Sequence, residues 1–312
     1  MQSDAFDRRA VPSDARFGGW TATDGWTCRT LERGQPDGAP VRGSLLFAGG
    51  RGDFIEKYLE VHDHWHRRGW AVTAFDWRGQ GGSRGDTVGG HLVSFEPLVA
   101  DLAGLIDNWR AKTPGPHVVV GHSMGGHLVL RTLADRHPPL AAAVLTAPML
   151  AINSGPLPPL AAQWLATMAS LLGWERQPAW QQSRRPHPPG SMRQAFLTSC
   201  RERYSDELWW WEREPGYNLG PPSWGWLRAA YASSAALTRA KLAKVETPVL
   251  LIGTERDRLV SPVAIRRAAA AIPKAELLMF EESGHEILRE ADPVRLAALE
   301  RIDAFLDAHA PR

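Results

Sequence analysis

Val118-Val119-Val120-Gly121-His122-Ser123-Met124-Gly125-Gly126 reads as a short apolar strand, a tight turn and the first residues of a helix that continues to Ala134. In that context Gly121-x-Ser123-x-Gly125 is the pattern of a strand-to-helix elbow, which lifts a serine hydroxyl above the end of a sheet. The flanking glycines let neighbouring backbone approach without a Cβ in the way. Three fixed residues recur often by chance, so the motif acquires chemistry only if a base and an acid stand in matching places.

Working outward, apolar runs at 44–48, 70–75, 117–120, 141–146, 248–252 and 276–280 read as strands. Helices are expected between them at 56–68, 95–111, 262–271 and 293–308, the first stopping at Gly69. Strands alternating with helices at this spacing predict an α/β fold with a mostly parallel central sheet flanked by helices. The rhythm breaks once. Residues 151–230 hold eight of the 14 tryptophans and ten of the 24 prolines, including Trp209-Trp210-Trp211, and show no strand pattern. Helices are expected there at 161–172 and 191–200. The expected organisation is therefore a core in two parts, 1–148 and 236–312, interrupted by a helical Trp/Pro-rich insertion over 149–235.

With 312 residues the chain can bury a large core. Its 36 Lys and Arg against 34 Asp and Glu are scattered and nearly balanced, which argues against a nucleic-acid partner. Cys28 and Cys200 are far apart and lack metal-type spacing, which suggests a reducing compartment. Residues 1–19 hold no apolar run of signal-peptide length, and no run approaches the roughly 20 residues of a spanning helix. A soluble, cytoplasmic protein is the expectation.

A serine nucleophile needs a base to take its proton and an acid to orient that base. In sheets of this kind the chain order is serine, acid, histidine, each after the C-terminal end of a strand. Val249-Leu250-Leu251-Ile252-Gly253 is followed by Thr254-Glu255-Arg256-Asp257, and Leu277–Phe280 by Glu281-Glu282-Ser283-Gly284-His285. Asp257 is assigned as orienter and His285 as general base, with Glu255 the alternative acid. The oxyanion of an acyl-transfer intermediate needs N–H donors. Met124 supplies one, and the glycine-rich loop 49–53 supplies the other through the main chain of Arg51.

Phe75-Asp76-Trp77-Arg78-Gly79-Gln80-Gly81-Gly82-Ser83, taken with Gly121–Gly126, resembles the monoacylglycerol lipase and lysophospholipase branch of the α/β-hydrolases, nearest to the bacterial lysophospholipase L2 type. Asp53-Phe54-Ile55-Glu56-Lys57-Tyr58 and Gly284-His285-Glu286-Ile287-Leu288 strengthen the likeness, which covers most of 40–150 and 245–308. One departure is that many relatives carry His-Gly before the oxyanion residue, where this chain has Gly49-Gly50. The resemblance implies a serine hydrolase of single-chain lipid esters, a lysophospholipid or monoacylglycerol, working through an acyl-enzyme on Ser123 without metal or organic cofactor. It also implies that the insertion is a lid. Trp164, Leu165, Leu171, Leu172, Trp209–Trp211, Trp224 and Trp226 are candidates for lining an acyl tunnel, packing the lid or touching a lipid surface.

Other readings of the same residues are a short-chain esterase, an acyltransferase, or a carrier that kept the fold without the chemistry. Serine at position 123 disfavours a dehalogenase, which on this fold uses a carboxylate nucleophile. His62, His64 and His66 do not make a metal site on a helix, since only His62 and His66 share a face. Gly79-Gln80-Gly81-Gly82 lacks the register and the lysine of a phosphate loop. His122 and His127 flank the serine and are read as packing residues.

Overall fold

In the computed structural model, which describes residues 6–36, 38, 41–181 and 187–311, the chain opens with an antiparallel hairpin. Strands β1 (Ala15–Thr21) and β2 (Thr27–Arg33) pair from Ala15↔Arg33 to Thr21↔Thr27. Hydrophobic alternation does not announce this hairpin, because β1 is an edge strand with most side chains in water. Its turn does carry a signal, Asp24-Gly25: Gly25 has a φ of +87°, and the Asp24 carboxylate accepts the Trp26 N–H at 3.1 Å.

The expected strands follow as β3 (Gly43–Ala48), β4 (Trp70–Phe75), β5 (His117–His122), β6 (Ala142–Thr146), β7 (Val249–Thr254) and β8 (Ala275–Phe280), mutually parallel. The sheet order is β1-β2-β4-β3-β5-β6-β7-β8, with β2 antiparallel to β4. The α/β expectation holds. Strands β3, β5, β6 and β7 are buried almost throughout because helices cover both faces. Leu46, Val119, Leu145 and Leu251 point to one face, and Leu45, Val120, Val144 and Leu250 to the other. Each such side chain, fully removed from water, contributes about 1.5–3 kcal/mol before the entropy of ordering the chain is set against it.

The first of these faces packs against α2 (Glu96–Lys112) and α3 (Met124–Arg136); the second packs against α1 (Leu59–Arg67). The helix expected from Glu56 begins instead at Leu59, after a 3-10 turn over Ile55–Tyr58. Gly69 ends it as expected, with a φ of +92° and its N–H on the His66 carbonyl at 2.9 Å.

Between β6 and β7 the chain forms α4 (Pro159–Ala169), which runs into a π-helical turn at Ser170–Trp174, then α5 (Met192–Leu197), α6 (Arg201–Arg213), α7 (Trp224–Ala236) and α8 (Arg239–Leu242). Arg184 and Arg185 lie outside the described residues. The helix expected over 191–200 stops at Leu197, because Thr198 is extended and its hydroxyl donates to the Arg289 carbonyl at 2.8 Å. After β7, α9 (Pro262–Ala269) starts at Ser261, whose hydroxyl accepts the Ala264 N–H at 3.3 Å, and has Pro262 at its first position. After β8, α10 (Asp292–His309) closes the α1 face with Leu299, Ile302 and Phe305.

Candidate active site

Every assigned residue sits at or just beyond the C-terminal end of a parallel strand. In an open α/β sheet that edge gathers loops from distant parts of the chain. Ser123 follows β5, the Arg51 loop follows β3, Asp257 follows β7 and His285 follows β8. Ser123 has φ +52° and ψ −115°, a conformation a side-chain-bearing residue holds only when its surroundings enforce it. They do so here: its N–H donates to the Thr146 carbonyl at 2.9 Å, and its own carbonyl accepts from His127 and Met149, each at 3.0 Å.

The glycines explain themselves by contact. A Cβ at Gly121 would lie 2.8 Å from the Gly126 Cα, and one at Gly125 would collide with the carbonyl oxygens of Ala48 and Gly49. The start of α3 is thus pressed against the end of β3, which sets the glycine-rich loop 49–53 beside the serine. A Cβ at Gly50 would stand 3.0 Å from the Ser123 Cβ.

His285 lies between the other two assigned side chains. Its Nε2 is 2.8 Å from the Ser123 Oγ, and its Nδ1 is 2.7 Å from the Asp257 Oδ2. The second Asp257 oxygen accepts the N–H groups of Leu259 at 2.8 Å and Val260 at 2.9 Å. Burial opposes the Asp257 charge, but His285 and these hydrogen bonds outweigh it and hold the carboxyl below its ordinary range. Burial likewise favours a neutral His285, yet the Asp257 carboxylate wins and raises the imidazole's affinity for a proton. Ser123 itself is only half-buried, so its hydroxyl remains open to a ligand.

Glu255, the alternative acid, is exposed and pairs with Arg266; it makes no bond to His285. His122 is buried with its Nδ1 3.3 Å from the Thr146 hydroxyl, and burial pushes its pKa down to about 4. His127 bonds the Ser233 hydroxyl at 2.7 Å and packs edge-on to Phe95. His62 is fully buried edge-on to Phe47, and burial lowers its pKa to about 3.

In the glycine-rich loop 49–53 the N–H groups on either side of Arg51 are already committed. The Gly50 N–H donates to the Asp53 Oδ2 at 2.6 Å and the Gly52 N–H to the Gln80 Oε1 at 2.6 Å. The Arg51 N–H between them engages no acceptor among the described residues, and Met124, as the first residue of α3, has no intrahelical acceptor. The Trp77 indole N–H holds Gly49 in place, donating to its carbonyl at 2.7 Å. Asp53 and Gln80 stand in stretches that carry the resemblance, but the sequence gives neither a role. Their roles follow from folding back onto the loop, which no spacing rule announces. The Arg51 guanidinium donates to the carbonyls of Gly89 and Gly220, both at 2.9 Å, and lies 5.1 Å from the Trp226 ring centre.

Among the aromatic candidates of the 149–235 segment, Trp211 and Trp226 are buried, the latter tilted 5.6 Å from Phe95. The α4 side carries the opposite kind of surface: Leu160, Trp164 and Leu171 are 80%, 68% and 70% exposed. Among the described residues no helix is long and apolar enough to cross a membrane.

Comparison with known proteins agrees with this architecture. Residues 39–292 match the family described as serine aminopeptidase, S33. The chain is 30% identical over 288 residues to lysophospholipase L2 of Escherichia coli strain K12, covering 85% of this chain and 80% of that one. It is 26% identical over 278 residues to the monoacylglycerol lipase of Mycolicibacterium smegmatis, covering 88% and 91%. A solved structure of a soluble variant of monoglyceride lipase from Saccharomyces cerevisiae, in complex with a substrate analog, superposes with a TM-score of 0.75 at 16% identity. That match covers 98% of this chain and 100% of the other, and the likeness is one of fold. The strand order and the matched sequence together place the chain in the α/β-hydrolases, as a member of the lysophospholipase L2 and monoacylglycerol lipase family of carboxylic ester hydrolases.

Proposed function

We propose that this carboxylic ester hydrolase cleaves the ester of a single-chain lipid, a lysophospholipid or a monoacylglycerol, through an acyl-enzyme on Ser123. The observation that carries the reading is the unbroken line of hydrogen bonds from Asp257 through His285 to the Ser123 hydroxyl. In this mechanism His285 Nε2 takes the hydroxyl proton as Oγ attacks the ester carbon, and Asp257 stabilises the imidazolium. The negative oxygen of the tetrahedral intermediate is met by the N–H groups of Arg51 and Met124. His285 then returns the proton to the leaving alcohol, and water hydrolyses the acyl-enzyme by the same steps. No step calls on a cofactor.

The lipid part of the reading draws on the two named relatives and on the segment over 149–235, which acts as a lid. Leu160, Trp164, Leu171, Leu172 and Met192 spread apolar surface outward from it. Exposed apolar area of this kind suits contact with a lipid aggregate from which substrate is taken. A fluorophosphonate probe tests the chemistry. Labelling is expected in the wild type and absent in Ser123→Ala, and labelling that survives the substitution refutes the acyl-enzyme. A panel of lysophospholipids, monoacylglycerols and p-nitrophenyl esters of rising chain length tests the substrate. A preference for acetate or butyrate refutes the long-acyl assignment.

A further inference from the structure

The two stretches Asp53–Tyr58 and Gly284–Leu288 carried the family resemblance, yet the reaction uses only His285 from them. Their charged side chains meet behind the site. Lys57 is the centre: its ammonium, 3% exposed, lies 2.7 Å from the Asp53 Oδ1, 2.6 Å from the Glu286 Oε1 and 3.4 Å from the Glu207 Oε2. Arg289 pairs with Glu286 and, at 3.2 Å, with Glu207; Arg193 pairs with Glu207 at 2.7 Å. Three buried carboxylates therefore face three cations. Burying such groups is costly unless each is matched, so the loss of one leaves its partners uncompensated.

What this cluster touches sets it apart from an ordinary buried ion pair. Asp53 holds the Gly50 N–H, one residue before the Arg51 N–H that faces the oxyanion, and also accepts from the Tyr58 hydroxyl at 3.2 Å. Glu286 adjoins His285. The N–H groups of those two residues donate to the carbonyls of Leu197 at 2.8 Å and Phe196 at 3.0 Å, at the end of α5. A Cβ at Gly284 would collide with the Leu197 carbonyl, so the histidine loop lies flat against this part of the lid. Glu207 belongs to α6 and Arg193 to α5.

We propose that Lys57 is a positioning residue for the ester hydrolysis, locking the oxyanion loop and the histidine loop to each other through Asp53 and Glu286, and both to lid helix α6 through Glu207. The inference rests on the role given to Ser123 and His285 above. Several charges surround the general base. Asp257 faces it from the β7 loop, Asp53 from the β3 loop and Glu286 from its own loop; His122 stands at a ring-centre distance of 5.0 Å from the end of β5. Lys57 and Arg289 stand behind the carboxylates. Removing the Lys57 charge therefore strengthens the negative field at His285, and removing the Glu286 charge weakens it.

The test measures p-nitrophenyl butyrate hydrolysis across pH for the wild type, Lys57→Met, Lys57→Arg and Glu286→Gln, with active sites counted by fluorophosphonate labelling. In Lys57→Met, kcat per labelled site should fall by about tenfold while KM stays within about twofold, as for a misplaced catalytic group. The acid limb of kcat/KM should move up by about half a pH unit in Lys57→Met and down by a similar amount in Glu286→Gln. Lys57→Arg should restore part of kcat. Variants that only lose thermal stability, with kcat per labelled site and both acid limbs unmoved, overturn the proposal. If Lys57→Met does not fold, the downward shift in Glu286→Gln and the kcat of Lys57→Arg decide it. A Ser123→Ala variant run alongside keeps the two readings separate: turnover surviving there refutes the nucleophile and with it the inference, whereas turnover lost there with kcat per site and both acid limbs unmoved in the other variants refutes only the role of Lys57.

Discussion

The His285 Nδ1 and the Asp257 Oδ2 lie 2.7 Å apart, both buried, although 28 residues and all of β8 separate them in the chain. The contact is made where the β7 and β8 loops leave the same edge of the sheet. The second Asp257 oxygen is tied to the backbone of 259 and 260, so the carboxylate presents a single oxygen to the ring.

Replacing Asp257 with Asn should leave the loop nearly unchanged but favour the wrong imidazole tautomer. A loss in kcat of about 10³–10⁴ is expected from that mechanism. Glu255→Gln, on the exposed pair with Arg266, should change kcat by less than about twofold. Steady-state kinetics on one soluble ester checks both, and the reverse ranking would move the acid to Glu255.

The pH dependence follows from the same pair. Because Asp257 raises the proton affinity of His285, the acid limb of kcat/KM should lie above about 6.5, the ordinary histidine value. Stability has two windows with opposite signs. The contribution of protonated His285 is fully present below about pH 6.5 and is lost as pH rises through its higher folded value. Asp257, with a depressed folded pKa, contributes above about pH 3.9 and loses that contribution as pH falls through the folded value. Denaturant melts of the wild type and Asp257→Asn from about pH 2 to about pH 9 should show the difference shrinking at both ends.

Gly125→Ala puts a methyl group onto two backbone carbonyls, those of Ala48 and Gly49, which cannot step aside without moving β3. It should destabilise the protein by about 3 kcal/mol, at the upper end for overpacking, and lower the yield of labelled active sites. Gly216→Ala, where a Cβ meets nothing within 4 Å, is the control and should stay within about 0.5 kcal/mol. Urea melts separate the two, and equal stability would show that the elbow has room to spare.

The exposed apolar residues of α4 and the turn after it predict a difference between dispersed and aggregated substrate. Trp164→Glu with Leu171→Glu should lower turnover on micellar lysophosphatidylcholine, relative to p-nitrophenyl butyrate, by about tenfold, from the loss of apolar surface at the aggregate. An unchanged ratio would remove the lipid surface as the partner of this face.

Much of the fold was legible because buried parallel strands must be apolar runs and their crossovers must be helices. Val118–Val120, Ala142–Leu145 and Val249–Ile252 leave little else to build. The hairpin β1–β2 was not legible by that logic. It is an edge pair facing water, so its strands carry no apolar rhythm, and only Asp24-Gly25 marks its turn.

At the site, chain order alone nominated Ser123, Asp257 and His285, because the serine–acid–histidine order is a property of sequence. Which acid reaches the histidine is a matter of distance. Asp257 and Glu255 are two residues apart on one loop, and the turn after β7 buries the first while leaving the second in water. What holds the loops is decided in the same way. Asp53, Lys57, Gln80 and Glu286 stand in stretches that carry the resemblance, but nothing within those stretches says that they meet one another or Glu207. Sequence by itself determined the six parallel strands, the elbow at Ser123 and the family, because these rest on local apolar pattern and short motifs. Only the tertiary structure decided which charges meet, because burial and pairing across three distant segments arise only once the sheet has gathered their loops at one edge.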